Sequence, residues 1–101
     1  MSIRFEWDPS KALANKRKHG ISFEAAALAF TDAFAFSELE GFTGDEPRWR
    51  TIGAANGLTL LLVVHTDWDD DGVEVVRIIS ARPTTRQERK RYEENLRKIR
   101  N

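Results

Sequence analysis

The segment RWRTIGAANGLTLLLVVHT, residues 48–66, decides the fold of this chain. Its apolar and β-branched residues predict two strands, residues 48–54 and 58–66, that pair across Asn56-Gly57. An Asn-Gly pair readily adopts the positive φ angles of a tight hairpin turn. Residues 60–64 are continuously apolar. This run predicts a strand at the centre of a sheet.

Further strands are predicted on both sides of this hairpin. Residues 3–7 alternate between apolar and polar and predict a first strand, residues 34–39 predict a second, and residues 73–81 predict the last one. Gly and acidic residues predict a loop over residues 40–47 and a turn over residues 68–72. Together these segments predict an antiparallel sheet of four or five strands.

Three helices carry start and stop signals. Asp8-Pro9 predicts the start of a helix through residue 18, which Gly20 ends. Ser22 predicts the cap of a second helix, through residue 30, whose Phe and Ala stripe belongs to the core. Thr85 and Glu88 fit a capping box for a last helix that extends toward residue 98. A strand and two helices, an antiparallel sheet and a C-terminal helix predict an α+β domain.

Length and composition limit the class of protein. A chain of 101 residues suits one domain, residues 1–101. The chain has no Cys and two His, which excludes disulfides and disfavours a zinc cage, so we expect no metal and no cofactor. No targeting signal opens the chain and its apolar runs are too short for a bilayer, which predicts a cytoplasmic protein without a membrane partner.

Charge is distributed unevenly along a chain whose formal net charge is zero. Residues 1–20 hold five Lys and Arg against two Asp and Glu, and residues 75–101 hold nine against three, whereas residues 21–74 hold two against eleven. If the fold joins the two ends, they form a positive face that attracts phosphates. The alternative is that these charges simply solvate helix faces.

Several side chains suit chemistry at a phosphate group, which needs a proton acceptor, cationic stabilisation of the reacting phosphorus and a proton donor. Histidine is a common proton donor and acceptor in catalysis, and His19 follows Lys18 at a helix end, although both can instead cap that helix. Arg77 lies among apolar strand residues, so its charge must be paired or face a cleft. Arg82, five residues later, shares a site with Arg77 only if a bulge or the end of the strand, near Pro83, lies between them.

Two blocks, NKRKHGISF at residues 15–23 and RIISAR at residues 77–82, resemble the BrnT toxins of bacterial type II toxin-antitoxin systems. The likeness includes FEWD at residues 5–8 ahead of them and Glu88-Arg89 and Tyr92 behind them. It implies a RelE-like architecture and an endoribonuclease that cuts RNA by attack of the 2′-hydroxyl and arrests growth. Arg48, after Glu46 and before Trp49, also fits the family pattern as a phosphate clamp, with Glu46 as an orienting carboxylate or a plain ion pair.

The predicted site therefore has two groups of residues. The predicted catalytic residues are Lys18, His19, Arg48, Arg77 and Arg82. The predicted substrate-binding residues are His65, Arg89 and Tyr92. For His65 the alternative is a hydrogen-bonded core residue, because it continues the face of Leu61 and Val63, and Tyr92 can serve as an anchor for the last helix.

The resemblance also implies partners. A BrnA-like antitoxin would mask the basic surface, form a toxin-antitoxin heterotetramer and supply the contacts to operator DNA. The rival hypothesis is a non-catalytic binding module or attenuated toxin that only binds its partner. Direct DNA recognition is a third, without a helix-turn-helix or zinc pattern to favour it. The acidic segment at residues 67–71 replaces a basic residue common in the family, which predicts the loss of one phosphate contact.

Overall fold

A five-stranded sheet with helices on both faces forms the computed structural model, which describes residues 2–100. The strands are β1 (Ser2–Glu6), β2 (Phe36–Thr43), β3 (Glu46–Ala55), β4 (Thr59–Asp70) and β5 (Val73–Pro83). The helices are α1 (Pro9–His19), α2 (Phe23–Leu28) and α3 (Arg86–Arg100), and a 3-10 turn, Ala29–Thr31, follows α2. The predicted α+β class and element order are confirmed.

The strand order is β1-β5-β4-β3-β2. Strands β2 to β5 form an antiparallel meander, whereas β1 pairs in parallel with β5, so the sheet is mixed and not wholly antiparallel as predicted. Two helices separate β1 from the meander, and a connection of that length allows a strand to join in either direction. The sequence of β1 therefore predicted a strand but not whether that strand runs parallel or antiparallel to its neighbour.

Turn chemistry fixes two hairpins. Asn56 and Gly57 have φ angles of 55° and 70°, which confirms the predicted turn between β3 and β4. The predicted loop at residues 40–47 is wrong, because β2 and β3 continue through it to a turn at Gly44. Likewise β4 continues to Asp70 instead of turning at residue 68. Pairing with a neighbouring strand outweighs the low strand preference of the Asp and Gly residues there.

The two sheet faces bury separate cores. The first face packs against α2 and the 3-10 turn, and its buried members are Phe23, Ala26, Ala29, Ala55, Leu61, Val63, Val76, Ile78 and Ala81. The second face packs against α3 through Ile52, Leu60, Leu62, Val64 and Tyr92. Gly53 allows the close approach of the 3-10 turn, since a Cβ there would lie 2.4 Å from the carbonyl oxygen of Ala29.

Helix α1 covers the part of the β5 edge that β1 leaves open. Strand β1 pairs with β5 only as far as Arg77. Beyond it, the Asn15 amide donates to the carbonyl of Ala81 at 2.8 Å and accepts from the Ala81 N–H at 3.1 Å. The same amide donates to the carbonyl of Ile21 at 3.0 Å. Asn15, which is buried, thus replaces a missing strand partner.

Polar contacts attach α3 to the second face. The capping box is confirmed, since Glu88 accepts from the Thr85 N–H at 2.8 Å and Thr85 accepts from the Glu88 N–H at 3.2 Å. The Tyr92 hydroxyl donates to Asp32 at 2.5 Å, and Arg91 pairs with Glu38. Within residues 2–100, no helix has the length and apolar character needed to cross a membrane.

Candidate active site

Three adjoining hollows form one groove between α1 and the uncovered end of the second face. Their volumes are about 240, 260 and 230 Å³, and Lys11 and Ile79 line all three. Each hollow is smaller than a typical small-molecule pocket of about 300–1,000 Å³. A shallow row of small hollows suits successive groups of an extended chain better than a single compact ligand. We call this row the groove.

One wall of the groove comes from α1. Lys11, Lys18 and His19 line it. Lys11 and Lys18 are seven residues apart, which places them on one helix face about 10 Å apart along the axis. Gly20, at φ 73°, ends the helix directly after His19. The carbonyls of the last turn favour cations at this end, and the half-buried His19 ring has no hydrogen-bond partner among residues 2–100.

The other wall and the floor come from the sheet. Arg48 of β3, Thr66 of β4 and Arg77 of β5 line the same hollow as Lys11. Arg77 donates to Glu6 from Nε at 3.2 Å and from Nη2 at 2.9 Å, which holds the guanidinium at the end of β1. Arg77 is thus both paired and beside a cleft, the two alternatives that its apolar neighbours predicted.

Arg48 is less completely paired than Arg77. Its Nε is buried without a hydrogen-bond partner within the described part of the chain, and the nearest carboxylate oxygen, from Glu40, is 4.0 Å away. The predicted partner Glu46 lines the same hollow but makes no ion pair with Arg48 within residues 2–100. A buried donor without an acceptor has lost its hydration without compensation, so an anionic oxygen here would satisfy it.

A β-bulge places Arg77 and Arg82 on the same face. Val64 pairs with Ser80 and His65 pairs with Ile78, which leaves Ile79 as the extra residue of β5. However, Arg77 pairs with Thr66 and Arg82 with Leu62, so four residues of β4, about 13 Å, separate their rows. Arg77 and Arg82 therefore share one face of the sheet, which was the condition for a common site. Arg82 nevertheless does not line the groove.

Arg82 instead holds the start of α3. Its Nη1 and Nη2 donate to the two carboxylate oxygens of Glu88 at 2.8 and 2.9 Å. The hydrogen bond from Arg82 lowers the pKa of Glu88 to about 2, against the opposing effect of burial. The same bond raises the pKa of Arg82. Arg82 is thus paired outside the groove that the four other predicted catalytic residues line, and its predicted catalytic role stays a prediction.

His65 lies in the core of the first face and not in the groove. It is 2% exposed, its Nδ1 is bonded to Asp67 and its Nε2 lies 2.7 Å from the Thr51 hydroxyl. The ring also packs edge-on against Phe30 at 4.9 Å. The Thr51 hydroxyl, the His65 imidazole and the Asp67 carboxylate are hydrogen-bonded in the same order as the groups of a hydrolase catalytic triad. However, Thr51 is 2% exposed, so a substrate cannot reach its hydroxyl. The alternative of a hydrogen-bonded core residue fits these contacts, and the predicted substrate contact does not.

The two predicted substrate contacts on α3 also lie outside the groove. Tyr92 is 9% exposed and is the anchor that the sequence offered as its alternative role. Burial and then the bond to Asp32 raise the pKa of Tyr92 to about 12, so its hydroxyl stays protonated at neutral pH. Arg89 is exposed and makes no ion pair within residues 2–100. Nothing in its surroundings tests the prediction for Arg89.

Sequence reasoning missed Lys11 and the positioning roles of Asn15 and Glu6. The seven-residue spacing to Lys18 was the available signal for Lys11. No comparable signal existed for Asn15, because the backbone groups that it binds lie 66 residues away in sequence. Glu6 likewise depends on the parallel pairing of β1 with β5, which places it opposite Arg77.

The groove combines cations with one titratable ring. The residues that line the groove include four cations and two acids. The cations are Lys11, Lys18, Arg48 and Arg77, and the acids are Asp8 and Glu46. Asp8 is engaged as the cap of α1, since it accepts from the Ser10 N–H at 2.8 Å. Cations that outnumber acids favour a polyanion, and His19 at one end adds an imidazole, a side chain that can donate or accept a proton.

Comparisons with known proteins agree with the fold of this chain. Residues 7–88 match the family model described as the ribonuclease toxin BrnT of type II toxin-antitoxin systems. The crystal structure of the Brucella abortus ribonuclease toxin BrnT has the same fold, with a TM-score of 0.58 and 22% identity over 85% of this chain and 100% of that chain. No curated protein matches significantly. Because the family model spans most of the sequence, the chain belongs to the BrnT family of type II toxin-antitoxin ribonuclease toxins.

Proposed function

We propose that the groove binds single-stranded RNA and cleaves it without a metal ion. The observation that carries this proposal is the continuity of the groove, because Lys11 and Ile79 join the hollow of Lys18 and His19 to that of Arg48 and Arg77. A polyanion lying along it would contact cations from α1, β3 and β5 together. The family description, a ribonuclease toxin, supports RNA as that polyanion.

The proposed reaction is an internal phosphoryl transfer. The ribose 2′-oxygen bonds to the adjacent phosphorus as its proton leaves, and the bond from phosphorus to the 5′-oxygen breaks as that oxygen gains a proton. The products are a 2′,3′-cyclic phosphate and a 5′-hydroxyl. His19 is the candidate for proton transfer because it lines the groove and its ring nitrogens have no hydrogen-bond partner among residues 2–100. The cations Lys18, Arg48 and Arg77 stabilise the charge on the phosphorane.

Partner binding belongs to the same proposal. A type II toxin is neutralised by a protein antitoxin, and we propose that a BrnA-like antitoxin masks the basic groove and forms a heterotetramer. Contacts to operator DNA would then come from the antitoxin. The toxin would act in the cytoplasm, where its RNA substrate lies.

A cleavage assay with purified protein tests the proposal. RNA oligonucleotides are incubated with the protein in the presence of a chelator, and the products are checked for cyclic phosphate ends. We expect cleavage that His19→Ala and Arg77→Ala strongly reduce and that a 2′-deoxy substitution at the cut site prevents. Arg17→Ala is the matched control, because Arg17 is an exposed cation in the same helical turn as Lys18.

Two results would contradict the proposal. Cleavage that persists in all groove variants would place the chemistry elsewhere. Intact RNA with the unmodified chain, combined with tight antitoxin binding, would favour the rival hypothesis of a binding module. Parallel expression in cells, with and without antitoxin, shows whether growth arrest follows RNA cleavage.

A further inference from the structure

An aromatic side chain stands directly beyond the groove on the same face. Strand β4 continues past Thr66, and Trp68 is the next residue on that side because side chains alternate along a strand. The guanidinium carbon of Arg77 lies 5.7 Å from the centroid of the Trp68 ring. Trp68 is nevertheless 39% exposed. Since burial of an indole is favourable, a ring left this exposed beside a cationic groove invites a functional explanation.

The acidic residues around Trp68 do not oppose an anion at this place. Alternation places Asp67 and Asp69 on the first face, where Asp67 is bonded to His65. Asp70 shares the face of Trp68, but Arg4 pairs with it at 2.9 Å. The sequence suggested that this acidic segment weakens phosphate binding. In the fold, most of its charge is turned away or neutralised.

Arg77 connects the groove to the indole. Glu6 holds its Nε and Nη2, so the guanidinium is oriented before any ligand arrives. Its Nη1 makes no hydrogen bond within residues 2–100, and the side chain is 58% exposed. Arg77 lies over the Trp68 ring, and because Trp68 is still 39% exposed, part of the indole is accessible to a second planar group.

We propose that Trp68, held by Arg77, is a stacking platform for one base of single-stranded RNA whose neighbouring phosphate lies in the groove. This proposal rests on the proposed function for its choice of RNA. Trp68 lies two strand residues from Thr66, about 7 Å, a distance that one nucleotide spans. Stacking on an aromatic ring tolerates any base, so the platform adds affinity for unpaired strands and discriminates against duplexes.

The test measures binding and not cleavage. A 2′-O-methyl RNA oligonucleotide, which cannot be cut by 2′-hydroxyl attack, is titrated into the protein and into Trp68→Ala and Trp68→Phe variants. We expect roughly tenfold weaker binding for Trp68→Ala and near recovery for Trp68→Phe, since Phe retains a ring. Leu58→Ala is the control for loss of an exposed apolar side chain, because Leu58 is 87% exposed at the hairpin turn.

A second probe separates stacking from an effect on phosphate contacts. The abasic form of the same oligonucleotide retains every phosphate but offers no base. We expect Trp68→Ala and the unmodified chain to bind it equally. Tryptophan fluorescence, which a stacked base quenches, should change on binding in the unmodified chain and much less in Trp68→Phe.

Three outcomes would overturn the proposal. Equal binding of methylated RNA by Trp68→Ala and the unmodified chain does so while leaving ribonuclease activity intact. An equal loss toward the abasic oligonucleotide would mean that Trp68 acts through Arg77 and the phosphates. Loss of antitoxin binding alone would make the surface a protein interface. Base-dependent stacking without any cleavage would support the platform and contradict only the proposed function.

Discussion

At the scale of single residues, similar cations have different tasks that their partners define. Arg77 is oriented by one carboxylate oxygen and remains more than half exposed beside the groove. Arg48 keeps a buried Nε without a partner in the described part of the chain. Arg82 has both terminal nitrogens on one carboxylate. The first two keep a donor that no residue in the described part of the chain engages, whereas both terminal nitrogens of the third are paired, so we expect the first two to contact a phosphate.

Substitution of these arginines should therefore separate activity from stability. We expect Arg48→Ala and Arg77→Ala to lower the cleavage rate by about 10²–10³-fold, the usual cost of one lost donor to a transition state, with little change in Tm. Arg82→Ala should retain cleavage but lower the free energy of unfolding by about 1–2 kcal/mol, because it breaks a partly exposed bidentate pair. Rate measurements and urea titration check both. Equal effects of all three variants on the rate would return Arg82 to the site.

Asn15 shows how one side chain supports the edge of a sheet. We expect Asn15→Ala to lower the free energy of unfolding by about 2–4 kcal/mol, because the N–H and carbonyl of Ala81 both lose their partner. Asn95→Ala, on α3, is the matched control, since the Asn95 side chain makes no such bonds. Chemical denaturation followed by circular dichroism gives the comparison. A change below about 0.5 kcal/mol would mean that water replaces the amide.

At the scale of elements, α3 is attached to the sheet largely through ionic and polar contacts. Burial would raise the pKa of Asp32, but hydrogen bonds from Tyr92 and from the backbone of Ala54 and Phe34 outweigh it and lower the value. The bond from Arg91 lowers the pKa of Glu38 in the same way. All three acids that hold α3, including Glu88, thus favour their ionised form in the folded protein.

Acid should therefore weaken the attachment of α3. A carboxylate with a lowered pKa stabilises the fold above its unfolded value and loses that contribution as pH falls through the folded value. For Glu88 this window runs from 4.5 down to about 2. We expect the free energy of unfolding to fall across it. In Glu88→Gln the free energy of unfolding should be lower than in the unmodified chain at pH 7 and should fall less on acidification. Calorimetry at several pH values would show whether the free energies of the two proteins converge at low pH.

Local signals predicted the elements that local chemistry controls. The caps at Asp8, Ser22 and Thr85, the stop at Gly20 and the turn at Asn56 each act within a few residues, and all are present. The lengths of β2 and β4 were underestimated, because cross-strand partners hold their polar ends in place. The direction of β1 depends on a pairing that no local pattern records.

The site could be predicted only where its signal was local. Lys18, His19 and Arg77 stood out through a helix end and an apolar strand. A bulge was inferred as one way for Arg82 to share a site with Arg77, and a bulge is present at Ile79. The pairing of Arg82 with Glu88 had no local signal in the sequence. Trp68 became a candidate only once its side of the sheet was known. The predicted strand ended at residue 66, whereas β4 continues to Asp70.

At the scale of the whole molecule, the two basic ends meet in part. Lys11 and Lys18 come from the first basic segment and Arg77 from the last, and they share the groove with Arg48 from the acidic middle. Much of the remaining positive charge of the C-terminal segment lies on α3, outside this groove. The predicted single positive face is therefore smaller than the sequence counts indicated.

The salt dependence of RNA binding should report the number of groove cations. If four cations contact phosphates, counterion release predicts a slope near −3 for log K against log salt with a single strand. We expect Lys11→Ala to reduce the slope by about 0.7 and Lys90→Ala, on α3, to leave it unchanged. Titrations between low and moderate salt measure both. An equal effect of Lys90→Ala would extend the binding surface onto α3.

The position of α1 has a consequence for the mutations that inactivate such a toxin. The turns that seal the open edge of β5 through Asn15 also present Lys11 and Lys18 to the groove. Spontaneous survivors of toxin expression that carry a substitution in this short helix should accordingly fall into two classes. One class would accumulate as inert protein that still engages the antitoxin, and the other would be degraded.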